Sequence, residues 1–180
     1  PIPVSPSPFR STSYSYASFS KEKSDNLFFS RFLRILQKDL FYDGNSPILA
    51  VVVPCYKEEA VLHETHKRLS QLFDRLIQAR QISPESYILY VNDGSTDQTW
   101  AIIKELHQHT AYACGLNLAG NVGHQNALLA GLNAVKDRCE IAISIDADLQ
   151  DDIQVIPDMI NSYKAGNDIV YGVRKERKTD

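Results

Sequence analysis

The sequence predicts an α/β domain in which a mostly parallel central sheet carries helices on both faces, three layers in all. Three observations support this. Apolar, β-branched runs alternate with segments whose apolar residues recur at helical spacing. The runs are continuously apolar, as in strands buried on both faces, instead of alternating apolar with polar residues. Polar residues gather directly after four of the runs, at the strand ends where open α/β sheets bind ligands.

Residues 1–23 begin with PIPVSPSPFRSTSYSYASFS, rich in Ser, Pro and Tyr, with one Arg and no acid. That composition buries too little apolar surface to offset the cost of ordering, which predicts a flexible tail. Organelle transit peptides are also Ser-rich and acid-poor, but a single Arg and no amphipathic period fit that signature poorly. Residues 24–45 form an amphipathic helix and linker, with Ser24 or Asp25 as cap and Gly44 as stop. Phe28, Phe29, Phe32, Leu33, Ile35, Leu36 and Leu40 share one face; Arg31, Arg34 and Lys38 gather on the other. Such a helix suits packing on the main domain, the usual fate of an amphipathic surface helix, or docking on an anionic membrane.

Residues 46–180 carry the main domain. PILAVVVP reads as the first strand and leads into a helix with Leu62, Leu69, Leu72, Phe73, Leu76 and Ile77 in register. YILYVND is the second strand, followed by a helix bearing Trp100, Ile103 and Leu106. AYACGLNL is the third, before a helix from His124 to about Arg138. EIAISID is the fourth, before a helix from Ile153 to Lys164, and DIVYGV reads as a fifth strand.

The bulk numbers bound the function classes. With 180 residues, 43% hydrophobic and 23% charged, the chain suits one domain with a full core. A formal net charge of -3 and no dense basic run argue against nucleic acid as a partner. Cys55, Cys114 and Cys139 are odd in number and widely spaced, as expected of reduced thiols in a cytoplasmic setting. No apolar run reaches the roughly 18 residues of a membrane span. The absence of an initiator Met and the charged ending RKERKTD lead us to expect a piece of a longer protein.

Chemistry collects at the strand ends. In NDGSTD, Ser95 or Thr96 can cap the next helix, whereas Asp93 is free to accept hydrogen bonds from a ligand N–H. GNVGHQN resembles a phosphate loop opening a helix, yet matches neither GxGxxG nor GxxxxGK[ST]. Gly131, within the following helix, suits close packing on the sheet. DADLQDD is the strongest local signal. Asp146 and Asp148 point to one side of an extended segment, and Gln150 continues that side if the chain stays extended. Two carboxylates, an amide oxygen and open positions for phosphate oxygens suit Mg²⁺ or Mn²⁺. A solvated acidic loop also fits these residues. Asp151 and Asp152 suit the start of the next helix, where the dipole favours anions. His63 and His66, beside Glu59 and Glu64, lack the HExxH order and read as a solvated helix face, as do His107 and His109.

Five motifs in order, VVVPCYKEE, VNDGSTD, NVGHQNALLAGL, DADLQDD and YGVRKERK, span Ile48 to Asp180. Together they resemble the family 2 glycosyltransferases of the GT-A (Rossmann-like) fold. Within that family they look closest to the branch that moves sugars onto polyprenyl phosphates, of the dolichyl-phosphate mannose synthase and bactoprenol glucosyltransferase type. The resemblance implies that Pro54, Tyr56 and Glu58 line a nucleotide pocket and that Asp93 contacts a uracil or guanine base. It places Asn121 and Gly123 near the ribose or diphosphate. Asp146 and Asp148 match the DxD pair, which handles metal and nucleotide sugar, with Gln150 as a further metal contact and Mg²⁺ or Mn²⁺ as cofactor. Asp148 and Arg174 would act in catalysis, Arg174 and Arg177 holding the acceptor phosphate or the diphosphate. Relatives continue with acceptor-binding and often transmembrane segments, so the resemblance implies a domain truncated at its C-terminus.

Two departures stand out. His124 lies where relatives often carry Lys or Arg, and Ile153 where many carry proline. The expectation is an inverting, metal-dependent enzyme, cytoplasmic and peripheral on the cytosolic face of a membrane. Its partners would be a nucleotide-diphosphate sugar and a polyprenyl phosphate. A nucleotide-sugar-binding module without its own catalysis is the alternative.

Overall fold

β1 (Leu49–Cys55) reads LAVVVPC, and all seven of its residues are buried. In the computed structural model, which describes residues 46–172, it is the strand around which the others are laid. Its side chains alternate between two cores. Leu49, Val51, Val53 and Cys55 enter the larger one, and Ala50 and Val52 the smaller one on the opposite face. Each such valine contributes about 1.5–3 kcal/mol relative to exposure, which explains the unbroken apolar run.

β1 pairs in parallel with β2 (Tyr87–Asn92) on one side and β4 (Ile141–Ser144) on the other. β3 (Ala113–Asn117) pairs in parallel with β2, so the order is β3-β2-β1-β4. Parallel neighbours need crossovers, supplied by α1 (Leu62–Gln78), α2 (Thr99–His109) and α3 (His124–Val135). A short 3₁₀ turn (Ile153–Val155) then leads into α4 (Ile156–Lys164). α1, α2 and α4 fill the larger core with residues such as Leu69, Phe73, Ile103 and Ile160. α3 covers the other face with Ala127 and Val135. The change of face follows from handedness. The chain runs outward from β1 to β3 and then returns to β4, and a crossover of constant hand puts the returning helix on the opposite side.

α3 fits because Gly131 lacks a side chain. A Cβ there would lie 2.5 Å from Val52 Cγ1 and 2.8 Å from Val91 Cγ2. The close packing expected of this glycine is what the fold uses.

Three expectations need correction. The fifth strand expected from residue 168 onward is not formed over residues 168–172; Ile169 is 71% and Tyr171 82% exposed. An apolar pattern becomes a strand only where a neighbouring edge takes up its backbone groups, and none of the described strands does so here. Neither Ser95 nor Thr96 caps α2; Asp97 Oδ1 accepts the Thr99 N–H at 3.1 Å instead. His66 is not on a solvated face. It is 5% exposed, with Nδ1 3.1 Å from the Tyr90 hydroxyl and Nε2 3.2 Å from Ser70 Oγ. The tail (1–23), the amphipathic segment (24–45), Arg174 and Arg177 lie outside the described residues. Among the described residues no helix is long and apolar enough to cross a membrane.

Burial, and secondarily His63, pushes the His66 imidazole down to about 4. In the unfolded chain it titrates near 6.5, so the unfolded state takes up the proton first as pH falls. Stability from this group is complete above pH ~6.5 and declines steadily as pH falls to about 4. Denaturant titration of His66→Gln should therefore lose about 2 kcal/mol less than wild type between pH 7.5 and 5. Equal losses would show that His66 carries no such linkage.

Candidate functional site

The strand order reverses between β1 and β4, the position at which open α/β sheets form a ligand crevice outside the strand ends. Pro54 lies buried within β1, while Tyr56 just beyond it is 44% exposed. Lys57 has φ 60, a left-handed turn that a non-glycine residue seldom adopts. Its N–H donates to Ser95 Oγ at 3.1 Å, and the Glu58 N–H donates to Thr99 Oγ1 at 2.9 Å. The Gln98 N–H donates to Glu59 Oε2 at 2.8 Å. These bonds stitch the loop after β1 to the loop after β2.

Asp93, at the end of β2, is 2% exposed. Its Oδ1 accepts the Val122 N–H at 2.7 Å and its Oδ2 the Gly123 N–H at 3.0 Å. Next to it, Gly94 has φ +62, and a Cβ there would sit 2.4 Å from the Asn121 nitrogen. Asp93 and Gly94 thus seat the glycine loop before α3, with exposed Asn121 and Gly123 at its tip. Gly123 is the N-cap of α3 and no side chain caps that helix. The N–H groups of its first turn therefore lack intrahelical partners, as at every helix start.

The acidic turn meets this loop. β4 ends at Ser144, and the Ile145 N–H still bonds Val52 O at 3.1 Å. Ala147 is then buried, at 3% exposure, while Asp146 and Asp148 on either side of it are exposed. The two aspartates thus share the open side, as their spacing predicts. The row stops there. Leu149 turns the chain with φ 53, and its N–H lies 3.3 Å from Asp146 O. The chain does not stay extended as far as Gln150, whose N–H donates to Asp148 Oδ1 at 3.1 Å. Gln150 instead lines a cavity of about 410 Å³ with Arg68, Gln71, Arg75 and Leu149. Asp152 serves as the start charge it was expected to be, accepting the Gln154 N–H at 2.9 Å.

His124, the first residue of α3, brings loop and turn together: Nε2 is 3.6 Å from Asp146 Oδ1. Burial, followed by the charges of Asp148, Asp146 and Asp97, raises the Glu58 carboxyl above its ordinary value. Glu58, Asp146 and Asp148 therefore lie near enough to one another to interact electrostatically. Asp146 and Asp148 offer exposed hard oxygens of the kind Mg²⁺ or Mn²⁺ takes, although among the described residues no group of three or more His, Cys, Asp or Glu is gathered as a metal site. The loop-to-loop bonding of Lys57, Ser95 and Thr99 escaped the sequence reading, because such hydrogen bonds leave no periodic signal.

The fold defines an open, parallel α/β domain with its polar loops gathered at one sheet edge, and comparisons with known proteins give its family. The family model for glycosyl transferase family 2 matches residues 50–180. An uncharacterized glycosyltransferase of Bacillus subtilis (strain 168), YkoT, is 52% identical over 136 residues, covering 76% of this chain and 40% of that protein. The bactoprenol glucosyl transferase of Shigella phage SfV is 35% identical over 133 residues, covering 73% of this chain and 40% of that protein. A solved mannosyltransferase of Pyrobaculum calidifontis, in complex with GDP-Man and Mn²⁺, is 17% identical at a TM-score of 0.46, covering 70% of this chain and 36% of that one. The chain belongs to glycosyl transferase family 2. It spans about 40% of the length of these two curated relatives.

Gly94→Ala should destabilise the domain by about 1–3 kcal/mol, since it combines a left-handed φ with a backbone clash. Asp93→Asn, which exchanges one of two acceptors for a donor, should cost a similar amount. Denaturant unfolding measures both; loss of less than about 0.5 kcal/mol would show that the glycine loop is not seated this way.

Proposed function

We propose that this chain is the nucleotide-sugar-binding part of an inverting glycosyltransferase that moves a sugar from a UDP- or GDP-linked donor to a polyprenyl phosphate. One observation carries the reading. His124, the first residue of the uncapped α3, reaches with its Nε2 to 3.6 Å from Asp146 Oδ1 in the acidic turn, at the sheet edge where the strand order reverses. A helix start favours a diphosphate, and an acidic turn beside it favours a divalent cation on that diphosphate. Family membership and the name of the phage relative support the reaction class and the acceptor.

In this reading Pro54, Tyr56 and Glu58 border the nucleotide pocket, and Asp93 faces the base. A carboxylate has about four lone-pair positions, and the loop amides occupy two of Asp93's, so it can seat the loop and still accept from a base N–H. Asn121 and Gly123 flank the ribose and diphosphate. Asp146 and Asp148 would hold Mg²⁺ or Mn²⁺, whose chemistry when bound is to offset charge building on the leaving nucleotide. Asp148 would act by holding that cation where charge develops as the sugar–phosphate bond breaks. Arg174, with Arg177, holds the acceptor phosphate or the diphosphate. A phosphate monoester has a second pKa near roughly 6, so the acceptor oxygen is largely ionised at neutral pH and needs no strong general base. Its direct attack on the anomeric carbon inverts the configuration. A polyprenyl-phosphate acceptor would have the enzyme work at the cytosolic face of a membrane.

Asp148→Asn should weaken binding of UDP or GDP in the presence of Mn²⁺ by at least about tenfold, because a hard anionic ligand is lost. Calorimetry with and without Mn²⁺ checks this; unchanged metal dependence contradicts the assignment. Sugar transfer to a short polyprenyl phosphate by the full-length protein separates an enzyme from a binding module.

A further inference from the structure

We infer that Thr65, in the second turn of α1, is a positioning residue that holds the acidic turn in its working shape. Thr65 is 2% exposed, and its Oγ1 lies 2.5 Å from the carbonyl oxygen of Ala147, 82 residues further along the chain. Ala147 is the residue between Asp146 and Asp148. The hydroxyl has one proton and two acceptors within reach, since Val61 O lies at 3.0 Å. Val61 O already accepts the Thr65 N–H at 3.0 Å. The proton therefore does most at Ala147, whose carbonyl has no other hydrogen bond among the described residues.

The consequence is geometric. Ala147 is fixed at two points: its methyl group is buried in the larger core and its carbonyl is held by α1. With the middle residue anchored inward, the flanking carboxylates face the crevice on the same side. Beyond the anchor the chain is in a conformation costly for a non-glycine residue, Leu149 at φ 53, and such a turn persists only where its surroundings hold it. The Thr65 hydroxyl bonds the chain two residues before that turn, and the Asp148 carboxylate bonds it one residue after. Its role in binding rests on the metal and nucleotide reading above; its role in shaping the turn does not.

The test uses Thr65→Val, which keeps the branched shape and removes the donor, and Thr65→Ser, which keeps the donor. Both are made in the full chain. Backbone ¹⁵N order parameters over residues 146–150 should fall in Thr65→Val from a rigid value near ~0.85 toward ~0.6, and should match wild type in Thr65→Ser. Wild-type order in Thr65→Val would overturn the inference whatever the protein binds. In calorimetry with GDP or UDP, Thr65→Val should lose at least about tenfold in Mn²⁺-dependent affinity while binding without metal stays within about twofold. Thr65→Ser should restore the loss. Equal weakening with and without Mn²⁺ would mean a general structural defect and would contradict a positioning role. Should Thr65→Val not fold, Thr65→Ala takes its place in both measurements under the same criteria. A wild-type chain that binds neither nucleotide with Mn²⁺ would count against the functional reading, leaving the order parameters to decide the role of Thr65.

Discussion

A strand buried on both faces must satisfy its whole backbone through the two strands beside it. β1 does so with β2 and β4, both parallel to it, and the rest of the architecture follows. Parallel pairing requires crossover helices, and each crossover begins at the same edge of the sheet. The loops after β1, β2, β3 and β4 therefore come together without any of them having to reach. The reversal of strand order then opens the crevice between the loops after β1 and β4.

What gathers there is mostly negative, and each carboxylate is accommodated differently. Asp93 is buried and accepts two backbone amides that seat the glycine loop. Glu58 responds to burial and to Asp148 and Asp146 by binding its proton more tightly. Asp146 has the imidazole of His124 at 3.6 Å. Asp148 accepts one amide bond, from Gln150, and otherwise faces outward. This grading, from the seated Asp93 to the open Asp148, leaves exposed carboxylates in the acidic turn, where Asp146 meets the first residue of the uncapped α3. A divalent cation carrying a diphosphate fits both features at once.

The layers of the fold were legible in the sequence because burial on both faces leaves an unbroken apolar run, and helices leave a 3.6-residue period. The same logic located the sheet edge, since polar clusters followed four of the runs. Three kinds of detail were not legible. The stretch from Asp168 has a strand's composition, but whether it pairs depends on an available edge, which is a tertiary property. His66 looked like part of a polar helix face, because only the fold reveals that Tyr90 and Ser70 receive it in the core. Thr65 and the loop-to-loop bonds of Lys57 and Glu58 join residues far apart in the chain, and no local pattern marks them. The acidic turn lies between these cases. Its exposed aspartates followed from alternation, whereas the turn at Leu149 that takes Gln150 out of the row did not.

The central claim is that the crevice between β1 and β4 holds a nucleoside diphosphate together with a divalent cation. A crystal structure of the full-length protein grown with Mn²⁺ and UDP or GDP, with anomalous data for manganese, tests it directly. The account predicts a manganese peak within bonding distance of Asp148 and diphosphate oxygens, with the diphosphate beside the first turn of α3. A nucleotide bound elsewhere, or manganese held away from Asp146 and Asp148, would contradict it.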